Sequence, residues 1–348
     1  MVTDRSERRN AGGRRRGLWS GAVTAVTGAT GFVGHACAAA IAAGGEELVC
    51  TVRARSDTRA LRALGPGVAL APAALDDVPG LTAAFAGCRA VVHCAARASD
   101  WGSRADFERD NVAGAVNVVE AAARAGAGHV VHVSTANAGG YGRDLDEDSR
   151  GARVRSPYSR SKLAAERAAR LHAARRGVRL TILRPSAVYG PGDRRWTLSM
   201  LERIDAGTWP LLDGGRALLT PLYVGNLAQA AVLALKCGVQ GTFLLTDDVT
   251  MSWRQFTARC AGALGVRPRT RSVPYVLARP AAEAAALLGR LARLRHPPPV
   301  TRYRVIRAAK DFHYRCDRAK GILAYRPDRD VDAHLRACAD WYRSIRPA

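Results

Sequence analysis

From residue 22 onward, short and nearly continuous apolar runs alternate with stretches of helical periodicity. The runs lie at 22–26, 48–52, 90–96, 129–134 and 180–185, and the segments at 35–43, 111–124 and 161–175 read as covering helices. A strand that is apolar at successive positions buries both of its faces, as a parallel sheet with helices on either side requires. The pattern predicts an α/β fold built on a doubly wound parallel sheet. After about residue 190 the periodicity loosens into pieces punctuated by glycine and proline, at 189–193, 213–215 and 297–299. Among them, 275–294 reads as a helix with leucine and alanine on one side and Arg279, Arg290, Arg293 and Arg295 interspersed. Packing on the sheet domain, a lid over an apolar ligand and a surface that touches a membrane are its three readings. The expected organisation is a disordered basic tail at 1–20, a sheet domain at 21–190, and a smaller mixed helical region at 191–348 that returns strands and helices to the sheet core.

The chain of 348 residues, 48% of them hydrophobic, is long enough to bury a substantial core. Arg8, Arg9, Arg14, Arg15 and Arg16 lie among polar residues with almost nothing apolar to bury, which predicts the disordered tail. The twin arginines before Leu18 and Trp19 do not make an export signal, because the apolar stretch that follows is short and runs into a glycine turn. No apolar run is long enough to span a bilayer, so a soluble, cytoplasmic protein is expected.

The formal charge of +23 raises the question of nucleic acid, yet the arginines are scattered without a zinc-finger spacing or an aromatic RNA-binding motif. No nucleic-acid partner is expected, and an acidic carrier protein or an anionic membrane surface is the alternative use of the charge. Eight cysteines contain no C-x-x-C pair and eight histidines no H-x-x-x-H pair. They read as buried residues in a reducing compartment, with no metal site.

Two motifs carry chemistry. Gly28, Gly31 and Gly34 follow a predicted strand and open a predicted helix, an arrangement that lets the backbone turn tightly and approach a pyrophosphate at the helix N-terminus. Tyr158 and Lys162 stand one helical turn apart and share a helix face. Only four lysines occur beside 49 arginines, so this pairing is not background usage.

TGATGFVG at 27–34, VVHCAA at 91–96, NVAGAVNVVEAA at 111–122, HVST at 132–135, YSRSK at 158–162 and RPSAVYGPGD at 184–193 together resemble the extended short-chain dehydrogenase/reductases. The resemblance covers roughly 22–345 and looks closest to the 3β-hydroxysteroid dehydrogenase and dihydroflavonol reductase branch. It implies a Rossmann domain followed by a substrate-binding region. Tyr158 would be the general acid or base, and Lys162 would favour the phenolate and bond the nicotinamide ribose. Thr135, with Ser134 as the fallback, would hydrogen-bond the reacting oxygen, and Asn111 would order the backbone beside the lysine. The cofactor would lie against Gly28, Thr30, Gly31, Phe32, Val33, Gly34, Ala95, Ala96, Pro185 and Val188.

The chain departs from many relatives at the end of its second strand, where Arg53 and Ser56 stand in place of an acidic residue. A guanidinium there suits a 2′-phosphate, so NADP(H) is the expected cofactor, with NAD as the alternative. Ala74 stands where an aspartate usually contacts adenine, and Asp76 is the candidate to compensate. Trp101, Tyr189, Trp196 and Trp209 are candidate substrate-pocket residues.

The expected function is an NADP(H)-dependent reductase or dehydrogenase of a bulky, largely apolar ketone or alcohol of sterol, polyketide or flavonoid type. A nucleotide-sugar epimerase is the second reading. Ala136 and Asn137 after Thr135, in place of Asp-Glu, argue against a dehydratase. A non-catalytic NADP sensor is the third. The resemblance also implies a homodimer packed through the helices at 111–124 and 161–175.

Overall fold

The computed structural model describes residues 23–153, 156–292, 294 and 296–346. The expected basic tail, Arg293 and Arg295 lie outside the described residues. Seven parallel strands form the central sheet: β1 Val23–Thr27, β2 Glu47–Val52, β3 Val68–Pro72, β4 Ala90–His93, β5 His129–Val133, β6 Arg179–Pro185 and β7 Gly241–Leu245. Their order is β7-β6-β5-β4-β1-β2-β3, so the sheet winds outward in both directions from β1 and β4. In such sheets a ligand crevice is expected at the carboxyl ends of the strands where the order reverses.

The apolar strands bury both faces, as expected. Val26, Leu48, Cys50, Val92 and Phe243 face one layer, where α1 (Phe32–Ala43) packs beside a helix at Val224–Cys237. Ala25, Val49, Val91, Val130 and Ile182 face the other. That second layer holds α2 (Val78–Phe85), α3 (Gly114–Ala125) and α4 (Pro157–Arg176), which present mainly alanine and valine to the sheet. Small side chains let these helices approach closely.

Chain order continues with α5 (Thr197–Asp205), α6 (Val224–Cys237), α7 (Trp253–Leu264), α8 (Tyr275–Leu291), α9 (Arg302–Ala309) and α10 (Val331–Ser344). Of these, α6 returns to the sheet layer and leads into β7. A full helix and an edge strand from the later part of the chain thus lie on the sheet. A separate core around Met200, Phe256, Leu335 and Tyr342 joins α5, α7 and α10. Among the described residues, no helix is long and apolar enough to cross a membrane.

Candidate active site

β1 ends at Thr27, and the chain turns at Gly28 with φ +72°, a left-handed conformation in which a side chain is strained. A Cβ on Gly28 would lie 2.6 Å from the Ala95 nitrogen, and one on Gly34 would lie 2.1 Å from the Gly28 carbonyl oxygen. The two glycines thus allow the turn to rest on the segment after β4 and α1 to start against the turn. Gly31 caps α1 without a side-chain hydrogen bond, and the first turn of the helix holds no acidic residue. Its leading N–H groups and the positive end of its dipole fit a dinucleotide pyrophosphate. Thr30 and Gly31 are exposed on this rim, while Phe32 and Val33 are half-buried. Ala95 and Ala96, also half-buried, follow β4 directly opposite.

At the end of β2, the Ser56 N–H donates to the Arg53 carbonyl at 2.9 Å and the Arg53 N–H to the Ser56 hydroxyl at 3.3 Å. The turn leaves the Arg53 guanidinium exposed, with no ion-pair partner among the described residues. Asp76 is exposed beside α2, and its neighbour Asp77 accepts from the Gly80 N–H as the cap of that helix.

Tyr158 is the second residue of α4, whose start is fixed by Ser156 accepting from the Ser159 N–H at 3.0 Å. Asn111 sits in a π-helical turn, Glu108–Ala113, just before α3. Its side chain accepts from the Arg97 N–H at 2.7 Å and donates to the Ser161 hydroxyl at 2.8 Å. The Ser161 hydroxyl in turn donates to the Tyr158 carbonyl at 2.8 Å. Asn111 therefore ties the segment after β4 to the first turn of α4.

Lys162 is buried, and its Nζ donates to the Val133 carbonyl at 2.7 Å and stands 3.5 Å from His132 Nε2. Burial lowers it to about 8, even though Glu166 and Cys94 favour the charge. Burial pushes the Tyr158 phenol up, and the neighbouring Tyr303 phenol adds to this. In this geometry the Lys162 ammonium is turned to the end of β5, and desolvation is the largest influence on the Tyr158 phenol.

Thr135, at the end of the β5 segment, is buried and accepts from the Asn137 N–H at 3.3 Å. Ser134 faces elsewhere: its hydroxyl donates to Glu166 at 2.5 Å, and Glu166 pairs with Arg184 at 2.6 Å. That buried cluster occupies the Ser134 hydroxyl. Pro185 closes β6, and Val188 is half-buried in a short strand, Ala187–Tyr189, paired with Pro221–Tyr223.

Two histidines went unmarked in the sequence reading. His93 and His132 are opposite one another across β4 and β5, with ring centroids 5.1 Å apart, and His93 Nδ1 lies 2.7 Å from the Thr27 hydroxyl. Burial lowers His93 to about 3 and holds His132 well below its ordinary value, with the Lys162 charge adding to both. Burial thus favours the neutral form of both imidazoles, which lie between the glycine turn and Lys162. Their positions at the ends of adjacent strands were a usable signal.

A cavity of about 820 Å³ opens beside the start of α4, lined by Ser156, Pro157 and Arg160, by Trp101 from the segment after β4, and by residues of α8 and α9. Trp101 is on this wall, and its indole N–H donates to the Leu294 carbonyl at 2.8 Å. Tyr189, by contrast, is fully buried, bonded to Asp247 and His334 at 3.2 Å each and packed edge-on against Phe256. Trp196 stacks on Phe256, and Trp209 packs against the same C-terminal core. None of these three lines this cavity. Tyr303, which no sequence feature singled out, lines the cavity and accepts from Asn137 Nδ2 at 2.8 Å.

Known proteins share this framework. The chain is 28% identical over 307 residues to the 4-hydroxy-2-methyl-3-oxo-4-farnesyl-3,4-dihydroquinoline-1-oxide ketoreductase of Stigmatella aurantiaca, covering 87% of this chain and 91% of that one. It is 28% identical to a 2-alkyl-3-oxoalkanoate reductase of Stenotrophomonas maltophilia, covering 89% and 96% respectively. The crystal structure of gox2253 superposes with a TM-score of 0.78 at 27% identity over 93% of this chain and 98% of that one. Residues 24–244 match the NAD dependent epimerase/dehydratase family. With its seven-stranded doubly wound sheet and glycine turn, the chain belongs to that family and is an NAD(P)-dependent oxidoreductase of the extended short-chain dehydrogenase/reductase type.

Proposed function

We propose that the chain is an NADP(H)-dependent ketone reductase acting on a bulky, largely apolar ketone, with Tyr158 as the proton donor. The observation that carries this reading is the position of Tyr158: its backbone is tied through Ser161 to Asn111, it stands one turn before Lys162, and its neighbours Ser156 and Pro157 line a roomy cavity. Burial keeps the phenol protonated at neutral pH, which suits donation to a carbonyl oxygen that is gaining negative charge. Thr135 supplies a hydroxyl to steady that oxygen, and Lys162 supplies the cation that would favour the phenolate once the proton has left. When bound, the nicotinamide supplies or accepts the hydride. The exposed, unpaired Arg53 at the end of β2 supports a 2′-phosphate and hence NADP(H) over NAD(H).

The cavity adds a preference. Arg302 lines it, and its Nε is buried without a hydrogen-bond partner among the described residues. A buried, unmatched donor of a guanidinium favours an acidic group on the substrate. The name of the Stenotrophomonas relative, a 2-alkyl-3-oxoalkanoate reductase, points to such a substrate for that protein. We therefore propose a ketone that bears a carboxylate. A homodimer through α3 and α4 is proposed as well, supported by the exposed Leu171 on α4, and a monomeric mass in solution would remove it.

The direct test is NADPH oxidation with a panel of bulky 3-oxo acids and neutral ketones, with Tyr158→Phe alongside. Turnover that falls by roughly 100-fold or more in the variant, with NADPH affinity retained, supports the assignment. Undiminished turnover in Tyr158→Phe would sink it.

A further inference from the structure

Helix α8 is built inside out for a helix of a water-soluble domain. The residues it buries are small and lie on one stripe: Ala278 and Ala282 pack with Leu212 and Val305 of the adjoining core, and Gly289 lies under Trp101 and Leu294. Its large apolar residues lie on the opposite face. Val276, Leu277, Leu287, Leu288 and Leu291 are each at least 60% exposed. Together with Leu294 and Val300 they make up seven of the ten exposed large hydrophobic residues among the described residues. Scattered singly, such residues need no explanation, but a contiguous face of them marks a surface that is covered by something.

The charge around the helix says what covers it. Positions 267–310 carry ten arginines and one lysine against a single glutamate and no aspartate. Arg267, Arg269 and Arg271, which lead into the helix, and Arg290 in its last turn are exposed and form no ion pair among the described residues. Glu283 is spent on Arg279 at 3.3 Å. A second copy of the chain seated on this face would bring the same basic flanks together, since a two-fold contact matches a patch with itself. An anionic bilayer gains from both the apolar face and the flanking cations.

We propose that α8 lies in the interface of an anionic phospholipid bilayer, with its leucine face among the acyl chains and its arginines at the headgroups. The cavity is continuous with this surface, because Ala286, Leu287, Arg290 and Leu294 line it and Trp101 packs over Gly289 beside them. An apolar molecule dissolved in the bilayer reaches the cavity without crossing water. That consequence rests on the reductase reading, whereas the docking itself does not.

Co-sedimentation of the full-length protein with vesicles of phosphatidylglycerol and phosphatidylcholine, without substrate or cofactor, tests the docking alone. The parent is expected to bind, more weakly in pure phosphatidylcholine or at high salt. Leu288→Asp/Leu291→Asp is expected to bind at least about tenfold less well. Leu277→Asp alone, a milder change on the same face, should lower binding in the same direction, and Ile322→Asp, on another surface, should not. Binding of the double variant equal to that of the parent would assign the interaction to charge elsewhere, including the N-terminal arginines, and overturn the proposal. Absence of parent binding would overturn it as well. So would a concentration-dependent oligomer that the double variant loses, since a second copy would then cover the face.

Discussion

Asp247→Asn should remove a pH dependence that the wild-type fold carries. Asp247 is fully buried where β7 meets the C-terminal region, and its carboxylate accepts from the Tyr223 N–H at 2.7 Å, Asn226 Nδ2 at 2.8 Å and the Tyr189 hydroxyl at 3.2 Å. Burial raises it from an ordinary value of 3.8 to about 7, outweighing those three donors. Each pH step is worth about 1.4 kcal/mol, so the interval corresponds to about 4 kcal/mol, as an order of magnitude. The sign follows from proton counts. Below 3.8 both folded and unfolded chains hold the proton, and its contribution is fully present. Between 3.8 and 7 the unfolded chain releases the proton while the folded one keeps it, so stability falls as pH rises and levels off above 7. Asparagine keeps the acceptor for Tyr223 and Asn226 and offers an N–H to the Tyr189 oxygen, leaving that hydroxyl free to donate to His334. Urea unfolding of both proteins at steps from pH 4.5 to 7.5 should show the variant gaining on the wild type by several kcal/mol toward the alkaline end. A difference that stays constant across the range would refute the assignment of a neutral buried carboxyl group.

Gly34→Ala drives a methyl group into the Gly28 carbonyl, a backbone atom that cannot swing away. It should weaken NADPH binding by tenfold or more, read by fluorescence titration, at a cost in stability of about 1–3 kcal/mol. Arg53→Ala should weaken NADPH while leaving NADH nearly unchanged, and equal losses for both would count against a 2′-phosphate contact. Lys162 holds its charge below about pH 8 in the ligand-free protein, so NADPH affinity should decline as pH rises through that value. A flat profile to pH 9.5 would show that the charge is not used. Arg302→Gln should raise KM for a 3-oxo acid at least about tenfold while sparing a neutral ketone, since a charge-assisted hydrogen bond contributes about 1.5–3 kcal/mol. A parallel rise for both substrates would point to lost cavity shape instead.

What the sequence disclosed was governed by how local the cause was. Strands β1, β2, β4, β5 and β6 announce themselves because each buries both faces, and the glycine turn because its constraint lies within eight residues. β3 and β7 escaped notice: VALAP is only partly buried at the sheet edge, and GTFLL follows a long detour through the C-terminal region. Asn111 could be placed but its turn could not, since π-helical backbone has no simple spacing signature. The packing of Tyr189 and Trp196 was not legible, because Phe256, which both rings meet, and His334, which bonds Tyr189, come from distant segments. The same holds for Asp247, whose neighbours meet only in three dimensions.

The π-helical turn at Glu108–Ala113 has a further consequence for how this chain can vary. Such a turn holds one residue more than the α-helical turn it replaces. Each residue advances a helix by about 100°, so loss of any one between Ser103 and α3 would swing Asn111 off the line joining Arg97 to Ser161. Exchange of the exposed Glu108 or Arg109 for another polar residue leaves that line intact. The segment is thus constrained in length far more than in letters, and descendants of this chain can rewrite its solvent side freely but cannot shorten it.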